Sequence, residues 1–358
     1  MSGLTEDVAG VRSVSTGLGA LLRWVRPTFD YAPGARPALD IGYFANVVPV
    51  APNLGVAIST DGVGTKLLVA QMAGRYDTVG IDCVAMNVND VLCVGARPLA
   101  LVDYIAVADA DPTLLGPLGE GLARGCEQAG VSCPGGELAQ VREMLHGVPG
   151  GQAFDLVATA IGTVPLDRIL AGDGVRTGDL LVGIPSAGLH SNGFTLARRA
   201  LLERGGMRLD QHVDDLGRTL AEELLEPTRI YVKPVLAVLD AGLPVRALAH
   251  VTGDGLFNLV RTARPVGFDI HTWPTPPAIF PLIQHYGEID DAEMYRAFNM
   301  GIGFCLVVAP EAGDAVTDTL ARLGVQAIVL GTAVEDPERT IRFRPRGLVG
   351  RNGRFSQA

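Results

Sequence analysis

The segment that most constrains the fold is an apolar run over residues 81–94, because it carries polar side chains in its interior. The run reads IDCVAMNVNDVLCV, and its polar residues are Asp82, Asn87, Asn89 and Asp90. Its spacing predicts a buried helix that ends at Gly95 and is followed by Pro98. A carboxylate surrounded by Val, Leu and Cys is costly unless it is paired or bound to a metal. The rest of the fold therefore has to bring partners to this helix.

Strands and helices alternate around this segment and predict an α+β protein of two α/β domains. Strands are predicted at 54–59, 99–107, 154–164, 179–184, 266–271, 302–308 and 326–330, and helices at 10–30, 113–129, 195–205 and 218–241. Turn residues at 165–178 predict the boundary between an N-terminal domain, 1–168, and a C-terminal domain, 169–345, with a flexible tail at 346–358. No GxGxxG follows a strand, which argues against a dinucleotide-binding Rossmann domain.

Composition argues against several other classes of protein. Hydrophobic residues make up 48% of the chain and charged residues 19%, so a sizeable core can be buried. The formal net charge is −10, and the one dense basic run, Arg339–Arg354, is expected to be a solvated end segment, so no nucleic-acid partner is expected. No apolar stretch reaches about 18 residues, so no membrane span is expected. Five cysteines without a CxxC pair, and no signal peptide, fit a cytoplasmic protein.

The first motif with chemical content is STDGVGTK, residues 59–66. Gly62 and Gly64 let backbone N–H groups approach an anion, Thr65 adds a hydroxyl, and Asp61 can hold Mg²⁺. Only two of the 29 basic residues are lysines, and one of them, Lys66, ends this motif, where its ammonium can neutralise phosphate charge. The alternative is a hairpin turn with incidental charges, since Asp-Gly is a strong turn signal.

Four carboxylates are candidates for a metal site. Asn87, a candidate for contacting the phosphates of ATP, and Asp90 are three residues apart and share a helix face. Asp61, Asp90 and Asp103 offer the hard oxygen ligands that Mg²⁺ prefers when it bridges the phosphates of a nucleotide. Glu137, after two glycines, suits a further position. The alternative is a helix edge with solvated polar residues.

Two further glycine-containing turns predict anion sites in the second half of the chain. Residues 186–193, SAGLHSNG, join a predicted strand to a helix start, where free N–H groups and the helix dipole attract anions. The candidates there are Ser191, Asn192 and Gly193 for phosphate, with His190 contacting phosphate or moving a proton. Thr252 and Gly253, in HVTGDG, resemble a second backbone cradle. Taken singly, each turn also fits an ordinary cap or loop.

In this order, the motifs resemble the phosphoribosylformylglycinamidine cyclo-ligase family, also called aminoimidazole ribonucleotide synthetase. The matching segments are STDGVGTKL, GIDCVAMNVNDVLCVGARPL, DYIA, GGE, SxGxHSNGF, PTRIYVKPVL, HxTGxG and EMYRAFNMGIG, which extend from about residue 9 to 334. The wider superfamily includes selenophosphate synthetase and thiamine-monophosphate kinase, which share ATP-dependent phosphorylation of a heteroatom.

The resemblance implies both a fold and an activity. The N-terminal domain would contribute strands to a β-barrel at a homodimer interface, and the C-terminal domain would be a mixed sheet flanked by helices. With ATP and Mg²⁺, the enzyme would phosphorylate the amide oxygen of formylglycinamidine ribonucleotide. Ring closure would then expel phosphate and give aminoimidazole ribonucleotide, a step of purine biosynthesis.

Three segments depart from the family pattern. They are residues 41–47, where the family has a loop rich in glycine and phenylalanine, residues 138–142 after Gly-Gly-Glu, and residues 253–261, where the middle one of the family's three glycines, the Glu and the Pro are replaced. These departures leave two alternatives open. One is a superfamily relative that phosphorylates a different acceptor, and the other is a non-catalytic, nucleotide-binding paralogue.

Overall fold

A computed structural model describes the backbone of residues 8–358 and the side chains of residues 16–358. The helices are α1 (Val8–Val25), α2 (Lys66–Ala73), α3 (Val79–Cys93), α4 (Pro112–Ala129), α5 (Phe194–Arg198), α6 (Leu220–Leu224), α7 (Val232–Asp240), α8 (Ile279–Gly287), α9 (Asp291–Ala297) and α10 (Gly313–Arg322). The strands are β1 (Asn46–Ala51), β2 (Leu54–Gly62), β3 (Arg97–Val107), β4 (Ser132–Gln140), β5 (Phe154–Val164), β6 (Leu180–Pro185), β7 (His212–Val213), β8 (Arg218–Thr219), β9 (Val245–His250), β10 (Val266–Ile270), β11 (Ile302–Val308), β12 (Ile328–Glu335), β13 (Ile341–Phe343), β14 (Leu348–Arg351) and β15 (Arg354–Gln357).

Five strands of the first half form one sheet in the order β1-β2-β5-β3-β4, and only the β3–β4 pair is parallel. Helix α3 packs on one face of this sheet, against β2 and β5, and α4 packs on α3. On that face, alternate residues of β5 such as Leu156, Ala158 and Ala160 are buried. The predicted buried helix is therefore confirmed as α3, a wall between the sheet and the rest of the molecule.

The second half contains an eight-stranded mixed sheet in the order β15-β14-β13-β10-β12-β6-β11-β9. Strand β11 lies between β6 and β9, and every one of its seven residues is buried, as expected for a strand covered on both faces. Within the described residues neither sheet closes on itself, and no helix is long and apolar enough to cross a membrane. The two-part mixed α/β architecture is as predicted, whereas the barrel stays a prediction.

Two local predictions are wrong. The helix expected over 218–241 is divided into α6 and α7, and the residues between them, which include Pro227, run without helix toward α3. The tail expected to be flexible from residue 346 instead forms β14 and β15, which extend the second sheet. Its arginines bind neighbouring acids: Arg346 lies 3.6 Å from Asp291, and Arg351 lies 3.1 Å from Glu338.

Helices α3 and α4 approach so closely that glycine is required at their contact. A Cβ atom on Gly80 would lie 2.6 Å from the carbonyl oxygen of Leu118 and would also overlap the amide nitrogen of Leu122. Gly121 of α4 faces Gly80, and there is no space for a side chain on Gly121 either. This contact fixes the separation of α3 from α4 and so helps to position the polar residues on α3.

We expect Gly80→Ala to destabilise the protein by about 1–3 kcal/mol, because backbone atoms on the facing helix cannot move aside as a side chain can. Gly119→Ala on α4 is the matched control, since Gly119 is exposed with open space around it and alanine favours the helix. Chemical denaturation of the two variants measures the difference. Equal stability of both variants would contradict the close contact.

Candidate active site

Asp61 and Asp90 come together where the end of β2 meets α3. The side-chain amide of Asn87 fixes the first of them: its oxygen accepts from the backbone N–H of Asp61 at 2.9 Å, and its NH₂ donates to the Asp61 carbonyl at 3.1 Å. The same NH₂ donates to the carbonyl of Cys83, one turn earlier in α3. Asn87 therefore holds the strand end in place, which is a structural role in addition to the predicted phosphate contact.

The two carboxylates repel each other. Burial, and after it the charge of Asp90, raise the pKa of Asp61 to about 6, against the hydrogen bond from the N–H of Gly62. Asp90 is itself held by His250, whose Nδ1 lies 2.9 Å from Asp90 Oδ1. Two partly buried carboxylates that repel each other form a site that favours a cation.

Turns from both halves of the chain border these carboxylates. Residues 62–65 lead from β2 into α2, with Gly64 in the left-handed region at φ 72°. Across the gap, the hydroxyl of Thr195 in α5 lies 3.1 Å from that of Thr65. The glycine turn of the first half thus faces the start of α5, which follows the predicted anion turn.

The second-half turns also meet each other. A Cβ atom on Gly253 would lie 3.1 Å from the side-chain oxygen of Asn192, so these two predicted residues are neighbours. The Nδ2 atom of Asn192 is buried and has no partner within the protein. Gly193, at φ 76°, begins α5, and Phe298 occupies the space that a side chain there would need. Asn192 therefore offers an unused donor at this point.

Lys66 lies in a different place from the one its motif predicts. Its side chain is fully buried, and its ammonium lies 2.9 Å and 2.7 Å from the two carboxylate oxygens of Asp82 and 2.7 Å from the carbonyl oxygen of Glu226. Burial lowers the pKa of Lys66, and Asp82 opposes that shift. An enclosed ammonium with these partners is not presented to phosphate, so its direct phosphate contact is corrected to a buried ion pair.

Asp82 gathers polar groups from both halves of the chain. Besides Lys66, its Oδ1 atom accepts from the N–H and the hydroxyl of Thr228, at 2.7 Å and 2.6 Å, and from the hydroxyl of Ser191 at 3.1 Å. The predicted phosphate ligand Ser191 is therefore buried and donates to Asp82. Sequence reasoning gave no role to Asp82 or Thr228, although the cost of a carboxylate in an apolar helix already required a partner for Asp82.

Asn89 makes a second connection from α3 to the other half. Its NH₂ donates to the carbonyl of Arg229 at 2.9 Å, and its oxygen accepts from the N–H of Tyr231 at 3.0 Å. The broken segment between α6 and α7 is thus bound to α3 at two places, through Asp82 and through Asn89. This seam sets the distance between the two halves at the site.

His190 is buried behind the site. It has a left-handed backbone, φ 65°, and its Nε2 accepts from the N–H of Ala187 at 3.2 Å. Burial lowers the pKa of His190 well below its ordinary value, and the nearby His250 and Lys66 act in the same direction. The ring is neutral and enclosed, so the predicted phosphate contact is corrected to an internal position. Its Nδ1 atom is buried without a partner.

Asp103 and Glu137 do not join Asp61 and Asp90. Register places Asp61, Ala158 and Asp103 in one row across β2, β5 and β3, so Asp103 lies two strands from Asp61, about 10 Å away. Glu137 pairs with Tyr104, the neighbour of Asp103, and its side chain lies on the opposite face. Within the described residues no three or more His, Cys, Asp or Glu side chains are grouped to hold a metal. The four-carboxylate prediction is therefore wrong.

Comparison with known families identifies the chain. Models of AIR synthase related proteins match both halves, the N-terminal domain model at residues 43–164 and the C-terminal domain model at 176–344. The chain belongs to the AIR synthase related family. The family predicted from the motifs is thereby confirmed.

Curated relatives agree with the family models. The phosphoribosylformylglycinamidine cyclo-ligase of Methanothermobacter thermautotrophicus is 46% identical over 82% of this chain and 84% of its own length. That of Pyrococcus furiosus is 42% identical over 93% and 96%, and that of Bacillus velezensis 45% identical over 76% and 78%. The predicted class of enzyme, a cyclo-ligase of purine biosynthesis, is confirmed.

Solved structures agree on the fold. A ThiL protein crystallised with AMPPCP and TMP superposes with a TM-score of 0.62 at 15% identity, covering 90% of this chain and 92% of that one. A Thermotoga maritima PurL complexed with ADP gives 0.57 at 18% identity, covering 88% of this chain and 45% of that one. At these identities the likeness shows the fold.

Lys66→Met should lower the free energy of unfolding by about 3–5 kcal/mol, because it leaves Asp82 as an unpaired buried charge. Lys66→Met combined with Asp82→Asn should recover part of that loss. The matched control is Lys233→Met, since the ammonium of Lys233 is exposed and donates only to the Glu127 carbonyl. Denaturation of all three variants measures these effects, and a Lys66→Met protein as stable as Lys233→Met would contradict the buried ion pair.

The stability of the metal-free protein should depend on Asp61. Its pKa is about 6 in the fold against an ordinary 3.8, so the native state keeps a proton that the unfolded chain has lost. The free energy of unfolding should therefore fall as pH rises from about 4 to above 6, by at most about 3 kcal/mol. Asp61→Asn should remove this fall, and thermal unfolding in chelator at pH 4, 6 and 8 measures it. An identical pH profile in wild type and variant would refute the assignment.

Proposed function

We propose that this chain converts formylglycinamidine ribonucleotide to aminoimidazole ribonucleotide with ATP, in the cleft between its two halves. The observation that carries the proposal is the pair Asp61 and Asp90, two repelling carboxylates beside a glycine turn that faces the start of α5. Such a place suits a divalent cation bound to the phosphates of a nucleotide. The names of the curated relatives support the same reaction.

The reaction needs an activated leaving group. An amide oxygen leaves poorly, so the amide oxygen of the acceptor first attacks the γ-phosphorus of ATP and ADP departs. The amidine nitrogen then attacks the carbon that bears the phosphorylated oxygen. Inorganic phosphate leaves, a proton is released, and the imidazole ring closes.

Each side of the cleft has its own part in this scheme. Gly64 and Thr65 present backbone N–H groups and a hydroxyl to the ATP phosphates, with Asn192 and Gly193 opposite them, while the N–H of Gly62 donates to Asp61. We place Thr252 and Gly253 at the phosphate of the ribonucleotide. Transfer of a phosphoryl group depends mainly on positioning and on stabilising negative charge, which a cleft lined by N–H groups and hydroxyls supplies.

Asp61 and Asp90 would hold Mg²⁺, with oxygens of the nucleotide's phosphates completing the coordination sphere. The raised pKa of Asp61 fits this role, because the site gains most when a cation neutralises both carboxylates. Magnesium bound there would neutralise charge on the phosphates during transfer. His250 holds Asp90 in the orientation that the site requires.

Lys66 and His190 act in this scheme by positioning other groups. Lys66 neutralises Asp82, which orients Thr228 and Ser191, and so keeps the second half at the correct distance. His190 occupies the bend before the anion turn and accepts from the backbone of that bend. Neither side chain needs to touch the reacting phosphoryl group for its loss to reduce activity.

Two of the three altered segments contact each other. Phe44, in the altered segment 41–47, lies under the guanidinium of Arg261. The Cζ atom of Arg261 is 5.2 Å from the centroid of the Phe44 ring. Arg261 belongs to the altered segment 253–261 and also pairs with Asp254. Arg261 keeps the arginine of the family pattern, and Phe44 keeps a phenylalanine where the family loop is rich in them. Contact between these two retained residues supports the family's own acceptor over a different one.

The direct test measures ATP hydrolysis with and without formylglycinamidine ribonucleotide and detects the aminoimidazole product. We expect hydrolysis that depends on the acceptor, and complementation of a purine auxotroph that lacks the cyclo-ligase. Asp90→Asn should raise the Mg²⁺ concentration needed for half-maximal rate, whereas Asp103→Asn, the matched control two strands away, should not. ATP binding without turnover would favour the non-catalytic paralogue, and turnover with another amide would favour the different acceptor.

We also propose a homodimer built on the open face of the first sheet. Ile58, Val102, Tyr104 and Ile161 lie on the face opposite α3, and each is about 40% exposed. Contiguous apolar side chains on a sheet of this size need cover, and a second copy would supply matching strands that complete the predicted barrel.

Val102→Asp with Tyr104→Glu should convert the dimer to a monomer, because charges would be buried at its centre. Leu323→Asp, at an exposed apolar residue after α10, is the control and should leave the assembly unchanged. Light scattering at micromolar concentration distinguishes these outcomes. A wild-type monomer would refute the proposed interface.

A further inference from the structure

The C-terminal hairpin of β14 and β15 lies beyond the end of the family's C-terminal domain model at residue 344. It packs by one aromatic contact: the ring of Phe355 lies 4.7 Å, between centroids, from the ring of Phe257. Gly350 makes room for both rings, since a Cβ there would lie 2.6 Å from Phe355 and 3.0 Å from Phe257. The hairpin is thus shaped to cover Phe257.

Phe257 belongs to a short 3₁₀ helix, Gly255–Val260, that directly follows Thr252 and Gly253. The first residue of this helix, Gly255, has φ 53° and lies against the backbone carbonyls of Tyr295 and Arg296 in α9. Strand β15 packs on α9 as well. The loop at 252–261 therefore rests on α9 from one side and, through Phe257, on the hairpin from the other.

Polar contacts hold the hairpin in place. Arg351 donates to the hydroxyl of Thr340 at 3.1 Å and pairs with Glu338. The N–H of Ala358 donates to the carbonyl of Gly347 at 2.8 Å, which ties the end of the chain back to the sheet. The basic residues of the hairpin are in part used by these contacts, which argues against a separate anion-binding tail.

We propose that this hairpin positions the 252–261 loop and thereby sets the affinity of the enzyme for the ribonucleotide. The inference rests on the proposed function, in which Thr252 and Gly253 contact the phosphate of the acceptor. Without the Phe355 contact, the loop would have to be ordered when the ribonucleotide binds. The free energy needed to order it would lower the affinity for the ribonucleotide. We place the ATP phosphates and Mg²⁺ at Asp61 and Asp90, outside the 252–261 loop, so we expect the affinity for ATP to change less than the affinity for the ribonucleotide.

The test compares Phe355→Ala with Phe355→Leu and with Arg354→Ala, an exposed neighbour on the same strand. Loss of an aromatic pair corresponds to a change of about two- to tenfold in an equilibrium constant. We expect Phe355→Ala to raise KM for the ribonucleotide by that factor, with kcat and KM for ATP within about twofold of wild type. Phe355→Leu should restore most of the affinity, and Arg354→Ala should behave as wild type.

A second measurement does not depend on turnover. Amide hydrogen exchange in residues 252–261 should be faster in Phe355→Ala than in wild type, with the strands of the first sheet unchanged. Unchanged exchange in that loop, or a fall in kcat with no change in KM for the ribonucleotide, would overturn the proposal. A wild-type enzyme that does not act on the ribonucleotide would instead refute the proposed function, and the exchange result would still test the contact.

Discussion

The architecture depends on one buried ion pair, between Lys66 at the start of α2 and Asp82 in the first turn of α3. Removing two charges from water is costly, and the cost is offset only where further hydrogen bonds complete the network. Here they come from Thr228 and Ser191, which belong to the other half of the chain. The network can be complete only when the two halves are docked, so satisfying Asp82 and forming the cleft are the same event.

Helix α3 contacts both halves of the chain, because its polar side chains point in two directions. Asn87 binds the end of β2 and fixes Asp61, whereas Asn89 binds the backbone of Arg229 and Tyr231 across the seam. Asp90 lies between these directions and faces Asp61 with its own partner, His250, behind it. Two carboxylates are thus held at the opening of the cleft by contacts that offset only part of their mutual repulsion, since the pKa of Asp61 stays raised. The same groups that dock the halves create a place for a cation.

Much of this could be predicted from the sequence where the signal is local. The periodicity of residues 81–94 gave α3, its polar residues showed that partners were needed, and the ordered motifs gave the family. Other features depend on what lies opposite a residue. The motif predicts that Lys66 binds phosphate, but in the structure α2 directs its side chain inward. The sequence also predicts that Glu137 binds metal, but the register of β4 places its side chain on the opposite face. The sheet face on which a strand residue lies, and the direction in which a helix side chain points, are set by partners far along the chain. Motif spacing alone does not encode those partners.

The order of the strands also has a consequence for synthesis of the chain. All partners in the first sheet lie within residues 46–164, so that sheet can be complete while the rest is still being made. Strand β6, at residues 180–185, is different, because its two neighbours, β11 and β12, are more than 100 residues ahead. During translation the apolar edges of β6 stay unpaired for roughly 6 to 30 seconds at typical elongation rates of about 5–20 residues per second. The second half is therefore the part of this protein in which buried strand edges stay unpaired for longest during synthesis.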